Sequence, residues 1–422
     1  MRRLILILLL VLISLSGSAL AADSYLSLEA LTNYALINSP ELAAARATLQ
    51  SAEQVAPQVA SLPDPSLGIN YQSDTLTPNL TGQLSWIMVS AAQEIVLPSK
   101  RDLRRQIAEL AAIQAADNLK AAQSALIGKV AEGYLNLALA HKKIALLVEK
   151  QQLATDLIAA AVASYRSSGG SQQDVLAAQK AKYDLQLQTE QLQSDTVGFE
   201  HQLRSLSGMM MTAEPLVVLL PELVLETQPP AALSQLAQQQ SAALMAQKVA
   251  WDGKLLAVKL SEEERFPDYT LSGGIAVAGG MPGMWNAGLQ VSIPINLADR
   301  QNRAIAQATA DAQLAAAEYS RQQHELSSAV YGNYAAYVSA KRTMKLYQDN
   351  LPAINTQLNA TSRAAYVTGA NTLSNALAQL TSALDYETGY WEQYTAVLQA
   401  QARLQALCNT NLVAYSKKGS AE

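Results

Sequence analysis

Apolar residues recur at helical spacing over two very long stretches and at alternate positions over shorter stretches just ahead of them. Between Ser99 and Ser168, apolar or small side chains fall at Leu119, Ala122, Leu126, Val130, Gly133, Leu137, Ala140, Ile144 and Leu147. That 3/4 spacing is the seam of a long coiled-coil-like helix. No proline interrupts 99–168, and none interrupts 298–350. Taken as one helix, about 70 residues rising 1.5 Å each reach roughly 105 Å. No compact domain needs a rod of that length, so the rod must cross something.

The rod occurs twice. Gln123–Leu146 laid over Gln323–Leu346 at an offset of 200 matches Gln123/Gln323, Leu126/Leu326, Val130/Val330, Tyr134/Tyr334, Ala140/Ala340 and Leu146/Leu346. Beyond it, Tyr165 and Leu176 match Tyr366 and Leu377 at an offset of 201.

The rest of the pattern duplicates in the same order. A helix is expected over 26–60, with Ser27 as its N-cap, and Pro63-Asp64-Pro65 breaks it. Strands follow at about 66–74, where Leu67, Ile69 and Tyr71 alternate with polar residues, and at 83–95. The loop between them holds Thr77-Pro78-Asn79. The long helix 99–168 turns at 167–171 into a helix ending near Leu206. An irregular linker, 209–230, carries Pro215, Pro221, Pro229 and Pro230, with a short strand expected at Leu216–Leu220. A second helix (231–264), strands (269–278 and 285–294), long helix (298–368), tip (368–371) and returning helix then repeat the order, and 409–422 forms a tail. In the cleanest strand, Trp285, Leu289 and Val291 alternate with Asn286, Gln290 and Ser292. This divides the chain into repeat 1 (22–208), a linker and repeat 2 (231–408).

Composition narrows the class. The start Met1-Arg2-Arg3, the apolar run Leu4–Leu15 and Ala19-Leu20-Ala21 read as a secretory signal peptide over 1–21. One cysteine, Cys408, cannot make an internal disulfide. The net charge of −5 offers nothing to a nucleic acid. Aromatics at 5% suit closely packed helices better than a thick aromatic core. His141, His201 and His324 are scattered without metal-ligand spacing, so neither a metal site nor a cofactor is expected. Met209-Met210-Met211 beside the linker is read as packing. The basic group Lys100, Arg101, Arg104 and Arg105, echoed by Arg300 and Arg303, is either a solvated helix face or an attraction to anionic headgroups. With no nucleophile elbow, phosphate loop or paired carboxylates, an enzyme is not expected.

Two-faced strands of about ten residues have the length a membrane barrel needs. Lipid leaves no water for open backbone groups, so four strands cannot stand alone. Three copies would supply twelve, an even and closable number.

In its helix–strand–strand–long helix–helix duplication the chain resembles the outer-membrane efflux proteins, the TolC-like channels. Further matches are Gln93-Glu94-Ile95-Val96-Leu97-Pro98 with its counterpart Val291-Ser292-Ile293-Pro294-Ile295, and the tips Tyr165…Gly169…Asp174-Val175-Leu176 and Tyr366…Gly369…Leu377. The resemblance implies a mainly α fold with a small β part. That fold would assemble as a homotrimer with a 12-stranded outer-membrane β-barrel continued by a periplasmic α-helical barrel. It implies as partners outer-membrane lipid, a periplasmic adaptor and an inner-membrane pump of the RND type. Ser171–Leu176 and Pro98-Ser99-Lys100 look most like the branch serving heavy-metal pumps, with Ser99 where that branch has Gly.

On this reading Leu67, Ile69, Tyr71, Trp285, Leu289 and Val291 face lipid. Arg166, Gly169, Gly170, Asp174, Gly369, Asn371 and Asn375 form the tip gate, with Arg166 across the turn from Asp174 as a candidate partner and the glycines permitting φ > 0. Tyr165, Val175, Leu176, Tyr366 and Leu377 contact the adaptor. In the family, acids near the second tip narrow the entrance; here Asn375 and Ala378 stand in their places. The function implied is passive conduction of small toxic solutes, metal cations or drugs. The alternatives are a duct for secreted proteins (type I secretion) and a periplasmic scaffold without a pore.

Overall fold

The structure, a computed structural model, describes residues 25–73, 85–167, 170–212, 214–223, 228–278, 283–367 and 372–409. The apolar stretch 1–21, the loop at Thr77–Asn79 and the tail beyond Asn409 lie outside them. Among the described residues the order is α1 (Leu28–Asn38), α2 (Pro40–Ala60), β1 (Ser66–Gln72), β2 (Trp86–Ile95), α3 (Pro98–Arg166) and α4 (Gln172–Ser207). Then come α5 (Pro230–Gln240), α6 (Ala242–Glu263), β3 (Asp268–Ala278), β4 (Met284–Ser292), a π turn (Leu297–Gln301), α7 (Asn302–Val367) and α8 (Leu373–Cys408).

The four strands form one antiparallel sheet in sequence order, β1-β2-β3-β4. The helices lie in the same order. Near the sheet, α3 packs between α2 and α6, and α6 packs on α7; farther away, α3 packs between α4 and α8, and α8 packs on α7. One edge of the layer is therefore β1, α2 and α4, and the other is β4 and α7. At 69 residues, α3 rises roughly 104 Å.

The duplication is exact in the core. Leu31, Ala35, Leu42, Leu126, Val130 and Leu203 are buried in one cluster. Their counterparts Leu233, Ala237, Leu244, Leu326, Val330 and Leu404 are buried in another.

The structure departs from the sequence reading in three places. The helix expected over 26–60 is two helices, because Pro40 has no N–H and forces Ser39 into extended backbone (φ −60°, ψ 128°). The helix expected over 231–264 breaks at the matching place, Ser241 (φ −65°, ψ 112°), without a proline. There the Ser241 hydroxyl accepts from the Leu244 N–H and caps α6. Leu216–Leu220 forms no strand; Leu26 N–H donates to Val217 O (3.0 Å) and Leu216 N–H to the Glu200 carboxylate (3.2 Å). The linker is held instead by hydroxyls: Tyr134 donates to Leu219 O (2.9 Å) and Tyr394 to Pro221 O (2.9 Å). Burial pushes both phenols above their ordinary pKa.

Both returning helices end in a left-handed residue, Gly208 (φ 74°) after α4 and Asn409 (φ 49°) after α8. Gly208 is obligatory for a second reason: a Cβ there would lie 2.3 Å from Asn38 O.

The junction of sheet and helices is locked by a buried cation. Lys100 Nζ, on a residue only 2% exposed, donates to both carboxylate oxygens of Asp268 (2.9 Å each) and to Phe266 O (2.8 Å). All three ammonium protons are used, and the start of α3 in repeat 1 is fixed to the start of β3 in repeat 2. Ser99 to Glu263 (2.8 Å) and Arg101 to Ala60 O (3.3 Å) extend the lock. Arg104 meets Glu264, and Arg105 bridges Asp102 and Glu109. Lys100 is thus occupied inside the chain, whereas the side chains of Arg104 and Arg105 stay 40% and 42% exposed at its surface.

Two stability tests follow from these junctions. Gly208→Ala should cost about 2 kcal/mol or more, since left-handed backbone alone costs an L-residue roughly 1–2, whereas Asn409→Gly should stay within about 1. Urea midpoints of helical circular dichroism read both; equal midpoints would refute the contrast. Lys100→Met should cost on the order of 3 kcal/mol by stranding Asp268, and adding Asp268→Leu should restore part of it. A single variant as stable as the parent would show that the lock carries no weight.

Candidate functional site

Register lines apolar strand residues up in rows across the sheet. Ile69 pairs with Val89, Val89 with Ile275 and Ile275 with Trp285. One row over, Gln93 pairs with Leu271 and Leu271 with Leu289; Ile95 pairs with Tyr269 and Tyr269 with Val291. Toward the far end, Tyr71 pairs with Ile87 and Ile87 with Val277. Because side chains alternate with period two, Leu67, Ile69, Tyr71, Trp285, Leu289 and Val291 share a single face. That face is open, with Leu67 83% and Trp285 79% exposed. Asn70, Ser90, Thr270, Ser272, Asn286, Gln290 and Ser292 occupy the opposite face. Among the described residues, the outer edges of β1 and β4 have no strand partner. A sheet with one exposed apolar face, an opposite face that adds Trp86, Met88 and Met284 to these polar residues, and two open edges is unfinished as a single chain.

At the far end of the helices, Asp174 is a cap. Its carboxylate accepts from the Ser171 N–H (3.1 Å), and the Ser171 hydroxyl accepts from the Asp174 N–H (3.1 Å). Among the described residues no ion pair joins it to Arg166, and that expectation is corrected: the carboxylate turns back on its own helix. The second tip uses Thr372, whose hydroxyl accepts from the Asn375 N–H (3.4 Å). Gly170 does not take positive φ; among the described glycines only Gly208 does. Gly169, Gly369 and Asn371 lie outside the described residues, as does the side chain of Tyr366. Tyr165 and Leu176 are exposed, Val175 is half-buried, and Leu377 packs against the apolar cluster inside the hairpins.

One set of contacts escaped the sequence reading. Down the seam between α3 and α8, Arg403 meets Glu132 (2.5 Å), Gln399 meets Asn136 (2.8 Å), Lys143 meets Glu392 (2.5 Å) and Lys150 meets Glu387 (3.1 Å). Lys142 lies 4.6 Å from the centre of the Trp391 ring. Below Lys150 the seam becomes apolar, with Ala154 and Leu157 in one cluster with Leu373, Ala376 and Leu380. The signal was present as positions that count up one helix while counting down the other. It is readable only once these two helices are known to be neighbours. The methionine run also differs from expectation: Met209 packs on the core, but Met210 and Met211 are exposed, because the chain has already left α4.

Among the described residues no three His, Cys, Asp or Glu side chains gather as a metal site, and no helix is long and apolar enough to cross a membrane.

Comparison with known proteins agrees with the geometry. Among solved structures, CusC superposes with a TM-score of 0.78 at 18% identity, covering 90% of this chain and 91% of CusC. VceC, an outer membrane protein of Vibrio cholerae, gives 0.75 at 16%, covering 91% and 96%. The MtrE outer membrane channel of Neisseria gonorrhoeae, in its open state, gives 0.71 at 15%, covering 91% and 89%. At such identities the likeness shows the fold alone. No curated protein matches in sequence. Residues 31–209 and 233–410, both repeats nearly entire, match the sequence profile of outer membrane efflux proteins. The family and fold are those of outer-membrane channels and not of enzymes, and the chain belongs to the outer membrane efflux protein family.

Proposed function

We propose that this protein is the outer-membrane channel of a tripartite efflux system, working as a homotrimer. The observation that carries this reading is the shared order of strands and helices, with both edges of the layer open. A unit with unlike edges closes head to tail into a ring. In lipid such a ring must leave no backbone group unpaired. Single-chain outer-membrane barrels begin at eight strands, and three copies of this sheet give twelve. The face of Leu67, Ile69, Tyr71, Trp285, Leu289 and Val291 then meets lipid, and Asn286, Gln290 and Ser292 line the lumen. The helices continue the ring roughly 100 Å into the periplasm. Their tips are the end that a periplasmic adaptor and an inner-membrane pump would meet, through the exposed Tyr165 and Leu176. The likeness of Pro98-Ser99-Lys100 and Ser171–Leu176 to the heavy-metal branch favours metal cations as cargo, with drugs next. The family and the solved channels favour a duct over a scaffold without a pore.

The barrel is tested by cysteine scanning along β4 in a Cys408→Ser background. Positions 286, 290 and 292 should react with a membrane-impermeant thiol reagent while 285, 289 and 291 do not. Cross-linking of outer-membrane extracts should stop at three chains. A monomer extracted by salt, or labelling without period two, would sink the barrel.

The tip is tested by function. Asp174→Ala combined with Asn375→Ala should raise single-channel conductance in planar bilayers and admit large antibiotics to cells. Unchanged conductance in an intact trimer would leave Asp174 a helix cap, with loss of about 1 kcal/mol as its only effect.

A further inference from the structure

Around the waist of the molecule, α1 and the linker lie over α3 and α4, while α5 lies over α7 and α8. The belt they form ends at each edge of the layer, and its α4 end is apolar and bare. Tyr34 and Ile37 on α1 are exposed, Ile37 by 70%, and so are Met210, by 83%, and Met211. They are contiguous, because Gly208 sits against the Asn38 backbone and carries Met209–Met211 past the end of α1. A contiguous apolar patch of this kind is often a contact site.

We infer that this patch is a seam between chains, and that its occupant is Tyr331 on α7 of the neighbouring copy. The inference rests on the ring proposed above, in which α4 of one chain lies beside α7 of the next. Height selects the residue. From the tip, α4 climbs 36 residues to Ser207, and the last 36 residues of α7 begin at Gly332. Tyr331 and Gly332 therefore stand level with Gly208 and Met210. Tyr331 is exposed, on the side of α7 away from its buried Leu326, Val330 and Tyr337. A Cβ on Gly332 would meet nothing within 4 Å of its own chain. A glycine in a helix interior costs about 1 kcal/mol against alanine, and nothing inside this chain requires it. A neighbouring backbone approaching closely does.

Thioether against an aromatic ring is a favourable contact that tolerates imperfect fit.

The test joins Met210→Cys to Tyr331→Cys in the full chain, with Cys408→Ser, using a short bis-maleimide. Within one chain the two sites lie across three helix spacings, roughly 27 Å, too far for the reagent. The double variant should give covalent dimers and trimers on a denaturing gel, and each single variant none. Met211→Cys with Tyr331→Cys serves as a second pair. A bulky polyethylene-glycol maleimide should leave Met210→Cys unmodified in the trimer and modify it after denaturation. If light scattering in detergent finds a trimer but neither pair cross-links, or if Met210→Cys reacts freely in that trimer, the seam is overturned and the ring stands. If no trimer forms, the ring itself fails and takes the seam with it.

Discussion

A peptide group in lipid has no water to turn to, and this requirement governs the molecule. Four strands satisfy three ladders and leave two edges open. Every other element serves the closing of those edges. The helices keep the order of the strands, so that an edge opened in the sheet is continued down the layer instead of being covered by it. Lys100, buried and paired with the half-buried Asp268, ties the two repeats together where strand becomes helix.

The architecture was legible because it rests on periodicity. Two long helical seams, alternating strands and a 200-residue offset are one-dimensional signals, and the structure carries all three. Local chemistry read well where it was local: Ser171 and Asp174 are three residues apart, and the structure shows them capping each other. What was lost depends on neighbours distant in sequence. Lys143 with Glu392 and Lys150 with Glu387 look like ordinary surface charges until α3 and α8 are laid side by side. Lys100 and Arg104 likewise find their acids, Asp268 and Glu264, over 150 residues later.

The breaks at Ser39 and Ser241 show how one shape is reached by unlike means. In repeat 1 proline removes a donor; in repeat 2 a serine hydroxyl captures one. The same holds at the helix ends, where Gly208 and Asn409 both turn left-handed but only the glycine is squeezed by its surroundings. Duplication kept the geometry and let the residues drift, so six identities in 24 positions understated the likeness of the halves.

The lacing of α3 to α8 has a mechanical meaning. A ring of three such chains holds six hairpins and so six joints. Three are inside a chain and keyed by ion pairs that lose their partners if the helices slide. The other three meet along the outer side of α4, where Tyr183, Leu187 and Val197 are exposed and apolar contact tolerates sliding. Stiff and compliant joints would then alternate around the wall. Such a tube, pressed from its end, does not swell evenly as a cylinder; its cross-section moves between round and three-cornered, with the corners at the joints between chains.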